Sequence, residues 1–76
     1  MALRFAEALN SAYRSIADRP GSGSPLHGDA LGIAGLRARK VPRFPYLIFY
    51  IESGEAIEVV RILHAQRDIP AALRRR

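Results

Sequence analysis

Two apolar runs of strand length lie close together in the second half of the chain, and no other feature constrains the fold as much. They are Tyr46–Ile51 and Ala56–His64, joined by Glu52-Ser53-Gly54-Glu55. Both runs are dominated by β-branched and aromatic residues, and the glycine between them supplies the positive φ that a tight connection needs. The stretch Phe44–Pro70 therefore reads as an antiparallel hairpin. On a pleat, Tyr46, Ile48 and Tyr50 point one way and Leu47, Phe49 and Ile51 the other. In the second strand Val60 and Ile62 are expected opposite Ile57, Val59 and Leu63. A half-exposed antiparallel sheet alternates apolar with polar residues, and these strands are apolar on both sides. The second strand leaves through His64-Ala65-Gln66-Arg67-Asp68-Ile69-Pro70, a charged exit near which an active surface is expected.

The residues before the hairpin supply a helix and a third strand. From Ala2 to about Asp18, residues Phe5, Ala6, Leu9, Ala12, Tyr13, Ile16 and Ala17 fall within one arc at 100° per residue. Arg4, Glu7, Asn10, Ser11, Arg14, Ser15 and Asp18 occupy the other side. Pro20 and Gly21 end this helix. The segment from Arg19 to about Gly35 reads as a loop, packed in part through Leu26, Leu31 and Ile33, with His27 exposed. Its Gly-Ser-Gly-Ser-Pro run is not a phosphate loop, because no strand precedes it and no Gly-Lys-Ser/Thr follows. Gly35–Val41 reads as a strand in which Leu36, Ala38 and Lys40 alternate with Arg37, Arg39 and Val41. Pro42 and Pro45 bracket the turn that follows it. The predicted architecture is α+β: a small antiparallel three-stranded meander packed against an N-terminal amphipathic helix. One helix covers one face of a sheet. Three candidates remain for the other face: a partner segment, a second copy of the chain, or an element this chain lacks.

Seventy-six residues make a single domain, 1–76, whose stability should lie at roughly 4–11 kcal/mol. The chain has no cysteine, so disulfides and thiolate metal sites are excluded. Two histidines far apart, His27 and His64, do not make a zinc site, and neither a metal nor another cofactor is expected. No apolar run approaches the roughly 20 residues of a membrane span, and Arg4, Glu7 and Asn10 interrupt the N-terminal stretch where a signal peptide would be apolar. A soluble cytoplasmic protein is expected. Through Leu36, Arg4, Arg14 and Arg19 balance Glu7, Asp18 and Asp29, so the whole formal charge of +5 lies from Arg37 onward. This asymmetry points to an anionic partner or, more blandly, to a solubilising surface.

Gly35-Leu36-Arg37, the strand Tyr46-Leu47-Ile48-Phe49-Tyr50 and the exit Leu63-His64-Ala65-Gln66-Arg67-Asp68 together resemble the ParE branch of the RelE/ParE superfamily of bacterial toxins. Arg4-Phe5 with Ala8-Leu9, Pro20 and Gly23 also fit that pattern, so the resemblance covers nearly the whole chain. It implies the toxin half of a type II toxin–antitoxin pair, associated with plasmid stabilisation and neutralised by a cognate antitoxin. ParE proteins are associated with poisoning DNA gyrase, and RelE proteins with cutting mRNA on the ribosome. RelE-like nucleases carry an arginine right after the tyrosine that opens the penultimate strand, where this chain has Leu47. They also carry a tyrosine or similar acid–base group in the C-terminal segment, where Ile69–Leu73 offers none. Family members usually begin with a strand and a helix ahead of the first helix read here. A shortened, inactive relative that only binds antitoxin or pairs with itself is therefore also open.

The resemblance implies inhibition of a type II topoisomerase by binding, without catalysis. Target contacts are expected from Arg37, Arg39, Lys40, Arg67 and Asp68. The antitoxin would dock on Phe5, Leu9, Tyr13, Tyr46, Ile48 and Tyr50, as amphipathic segments dock in grooves. The runner-up is a ribosome-dependent endoribonuclease using Arg37, Lys40, His64 and Arg67 to bind phosphate and move protons. Each residue also has a plain structural reading. Charges on β-edges deter aggregation, Arg67-Asp68 can fix the exit turn, and a histidine at a strand end is commonly a packing residue. Arg74-Arg75-Arg76 reads as a mobile terminus.

Overall fold

Helix α1, Ala2–Asp18, has the bounds its periodicity predicts. In the computed structural model, which describes residues 2–54, 56–66 and 69–74, α1 is followed by a 3-10 turn at Pro20–Ser22 and helix α2, Leu26–Leu31. Strands β1, Leu36–Lys40, β2, Tyr46–Ser53, and β3, Ala56–His64, come next, and helix α3, Ile69–Arg74, closes the described chain. The strands form one antiparallel sheet in the order β1-β2-β3, so the α+β meander is as predicted. The hairpin turns at Gly54, whose φ is +60°.

Two clusters of apolar residues pack on the two faces of the sheet. On one face Ile48, Tyr50 and Val41 meet Ala12 and Ile16 of α1, with Phe5, Ala8, Leu9, Phe44, Tyr46, Ile57 and Ile62 around them. Phe5 meets Phe44 and Tyr46 edge-on, with ring centroids 5.1 and 5.3 Å apart. Of the apolar arc predicted for α1, Ala6, Tyr13 and Ala17 stay exposed, because the helix touches the sheet along a narrower seam than its apolar stripe.

The opposite face corrects an expectation. Among the described residues α2 and α3 pack against it, where the sequence offered only a partner segment, a second copy or a missing element. Leu36, Ala38, Phe49 and Leu63 pack there with Ile69 and Leu73, and Leu31, Ile33 and Ala72 join them. The segment read as a loop thus contains a helix, and the C-terminal residues form another. Gly28 hid the first of these, since glycine ordinarily weakens a helix. Here it is a packing requirement: a Cβ at Gly28 would lie 2.6 Å from the Leu36 carbonyl oxygen and 2.9 Å from that of Ile33. His27, expected to be exposed, is half-buried. Its ring stands edge-on to Phe49 at 5.3 Å, and among the described residues nothing hydrogen-bonds its buried Nδ1.

A bulge corrects the facing of β3. Phe49 pairs with Arg61 but Tyr50 pairs with Val59, so Val60 is an extra residue. The insertion shifts the phase of the strand by one. Ile57 and Ile62, expected on opposite faces, therefore share the α1 face, and Val60 packs with Leu63 on the other.

Candidate functional site

The basic surface begins on β1, where strand alternation separates its three cations. Arg37 and Arg39 stand in register with Tyr50 and Ile48, on the α1 face, while Lys40 is in register with Leu47 on the other. Arg37 and Arg39 are half-buried, and only Lys40 is exposed. Arg37 Nη1 donates to the carbonyl of Gly23 at 2.8 Å, and Arg39 Nη1 donates to Ser22 Oγ. Ser22 Oγ in turn donates to the Arg19 carbonyl at 2.7 Å. Both arginines thereby tie residues 19–24 to the sheet.

Tyr50 holds the same segment from below. Gly23 N–H donates to its hydroxyl at 3.1 Å, and the hydroxyl donates to the Pro20 carbonyl at 2.6 Å. The fit leaves no room for a side chain, since a Cβ on Gly23 would come within 2.2 Å of Tyr50 Oη. Ser24 then pairs with Ala38 in both directions, each N–H donating to the other's carbonyl at 2.9 Å. The Gly-Ser-Gly-Ser run is thus the outer lining of β1.

His64 stands on the α1 face, opposite Tyr46, whose ring meets it edge-on at 5.2 Å. Gln66 N–H donates to its Nδ1 at 3.1 Å, which leaves Nε2 to carry the ring proton in the neutral form. Arg37 aligns with Tyr50 and His64 with Tyr46, four residues along β2 and two strands apart. Strand geometry puts their Cα atoms about 16 Å apart. Lys40 lies on the other face from both. Arg37, Lys40 and His64 are therefore not brought together. Arg67 and Asp68 lie outside the described residues.

The residues expected to receive an antitoxin arm are mostly interior. Ile48 and Tyr50 are 0 % exposed, which removes them from any docking surface while α1 is in place. Phe5, Leu9 and Tyr46 are half-buried in the same cluster. Tyr13 is 37 % exposed, and Leu3, which was not singled out from the sequence, is 80 % exposed. One exposed apolar surface is thus the flank of α1 carrying Leu3, Ala6, Tyr13 and Ala17; Leu26 on α2 and Val59 on β3 are exposed apart from it. Its signal in the sequence is an apolar arc too wide for one sheet contact.

Among the described residues no group of three or more His, Cys, Asp or Glu side chains is placed to hold a metal ion, and no helix is long and apolar enough to cross a membrane. The model of one protein family, the ParE toxin of type II toxin-antitoxin system, parDE, matches residues 1–69. No curated protein and no solved structure matches the chain.

Proposed function

The chain belongs to the ParE toxin family of type II toxin–antitoxin systems, and from that premise we propose that it inhibits a type II topoisomerase, DNA gyrase, by binding rather than by catalysis. Family membership assigns the toxin role and implies an antitoxin partner. The observation that favours binding over RNA cleavage is the dispersal of the nuclease candidates: Arg37 is committed to Gly23, Lys40 lies on the other face, and His64 Nδ1 accepts the Gln66 N–H. Cleavage of RNA needs a base and an acid within reach of one phosphate. Leu47, where the nucleases carry arginine, agrees with this.

In this reading Lys40 and the other exposed cations of the second half steer the encounter. The antitoxin arm packs on the exposed flank of α1, along Leu3, Ala6 and Tyr13, because the opposite flank is already used by the sheet. A gyrase supercoiling assay with the folded chain tests the proposal. Inhibition that added antitoxin reverses is expected. Unimpeded supercoiling together with cut ribosome-bound mRNA would assign the chain to the nuclease reading instead.

A further inference from the structure

A groove of about 660 Å³ opens between α1 and the turn that joins β1 to β2. Arg4 and Arg43 flank it, Ser11 and Glu7 lie along the helix side, and Ala8, Pro42 and Phe44 give it an apolar lining. We propose that this groove binds an acidic peptide segment that also carries an apolar side chain.

The two arginines reach one groove because of the aromatic pair beside them. Arg4 precedes Phe5 and Arg43 precedes Phe44, and those two rings pack edge-on at 5.1 Å. The turn that carries Arg43 is stiff. Pro42 and Pro45 restrict it, Val41 N–H donates to the Tyr46 carbonyl at 2.9 Å, and Phe44 N–H donates to the Val41 carbonyl at 3.3 Å. Within it Arg43 holds a φ of +68°, the one positive value at a non-glycine residue among those described. An arginine in the left-handed region is a backbone cost that glycine would avoid at once. What the residue contributes in return is a guanidinium, exposed at the mouth of a groove.

The lining selects the ligand. Two guanidinium groups bind carboxylates in bidentate fashion. Ala8, Pro42 and the half-buried Phe44 take up an apolar side chain, and Ser11 offers a hydroxyl to a peptide group. The volume falls within the range of ligand-sized clefts, about 300–1,000 Å³. A nucleic-acid backbone is a poorer match. It calls for a track of several cations, and this groove has two.

The test uses the full chain, 15N-labelled, titrated with a blocked peptide of alternating leucine and glutamate and with its lysine counterpart. Saturable shifts are expected at the amides of Arg4, Ser11 and Phe44 with the glutamate peptide and none with the lysine peptide. Arg43→Gly is expected to weaken binding about tenfold through loss of charge-assisted bonds. Its melting temperature should hold or rise, since glycine accepts the turn's φ. Arg4→Gln, at an exposed helical position, is the second variant and should also weaken binding. Absence of saturable shifts, equal binding of the lysine peptide, or unchanged affinity in both variants overturns the proposal. So does oligothymidylate shifting the same amides at lower concentration than the glutamate peptide.

Discussion

Replacing Tyr50 by phenylalanine removes one oxygen atom, and with it the two hydrogen bonds by which the centre of the sheet grips residues 20–23. The ring stays, so the apolar contacts with α1 are kept. What is lost is the acceptor for the Gly23 N–H and the donor to the Pro20 carbonyl, at a site where Tyr50 itself is fully buried. Deleting one side of a buried hydrogen bond costs about 1–3 kcal/mol. With two bonds lost, and the segment still tied by Arg37 and Ser24, about 2 kcal/mol is expected. For a domain of this size that lowers the melting temperature by roughly 8–16 °C. Gly23→Ala approaches the same point from the other side, by driving a methyl group to 2.2 Å from Tyr50 Oη, 2.9 Å from Cζ and 3.1 Å from the Ala38 carbonyl oxygen. Overpacking of this kind costs about 1–3 kcal/mol. In the double variant the nearest clashing atom is gone. The combined loss should therefore fall short of the sum by about 1 kcal/mol, as contacting residues couple on that scale. Thermal and urea unfolding followed by circular dichroism measure all three variants. A Tyr50→Phe melting temperature within about 2 °C of the parent, or additive losses, would refute the view that this hydroxyl anchors the segment.

Three further outcomes follow from packing. Gly28→Ala should lower stability by about 2–3 kcal/mol, read from the urea midpoint, because both close neighbours of the added Cβ are backbone carbonyls that cannot swing away. His27→Leu should raise the melting temperature, since it removes a buried nitrogen that nothing described hydrogen-bonds, a gain of about 1 kcal/mol; a lower melting temperature would show that Nδ1 is satisfied. Leu73→Ala should cost about 2–4 kcal/mol if α3 seals the second face of the sheet, and a loss comparable to that of an exposed alanine substitution would show that it does not.

The parts legible in the sequence were those with a long period. Seventeen residues of α1 repeat their apolar face often enough to fix both ends, and the two β-branched, aromatic runs with a glycine between them marked the hairpin. Helices of six residues, such as α2 and α3, complete fewer than two turns, and α2 also carries Gly28, which ordinarily argues against a helix. Both are stabilised by packing on the sheet, in a cluster that includes Phe49, which is far from either in sequence. The bulge was hidden for a related reason. Val59-Val60 is equally apolar in either phase, so only the partner strand decides which residue is extra. At the candidate site, the basic residues of β1 were found but their commitments were not. Whether Arg37 serves a target or a carbonyl depends on where residues 22–24 return to the sheet, which no local pattern encodes.

The pairing of Ser24 with Ala38 also decides how molecules can stick to one another. It occupies the middle of the outer margin of β1 with backbone that already has its partners, whereas β3 ends the sheet at its other margin. Strands can be added on one side only. Two chains joined through β3 would present a blocked margin at each end, and growth would stop at two. Open-ended edge-to-edge assembly requires two free margins per molecule, and here the return of Ser24 lines the middle of one of them.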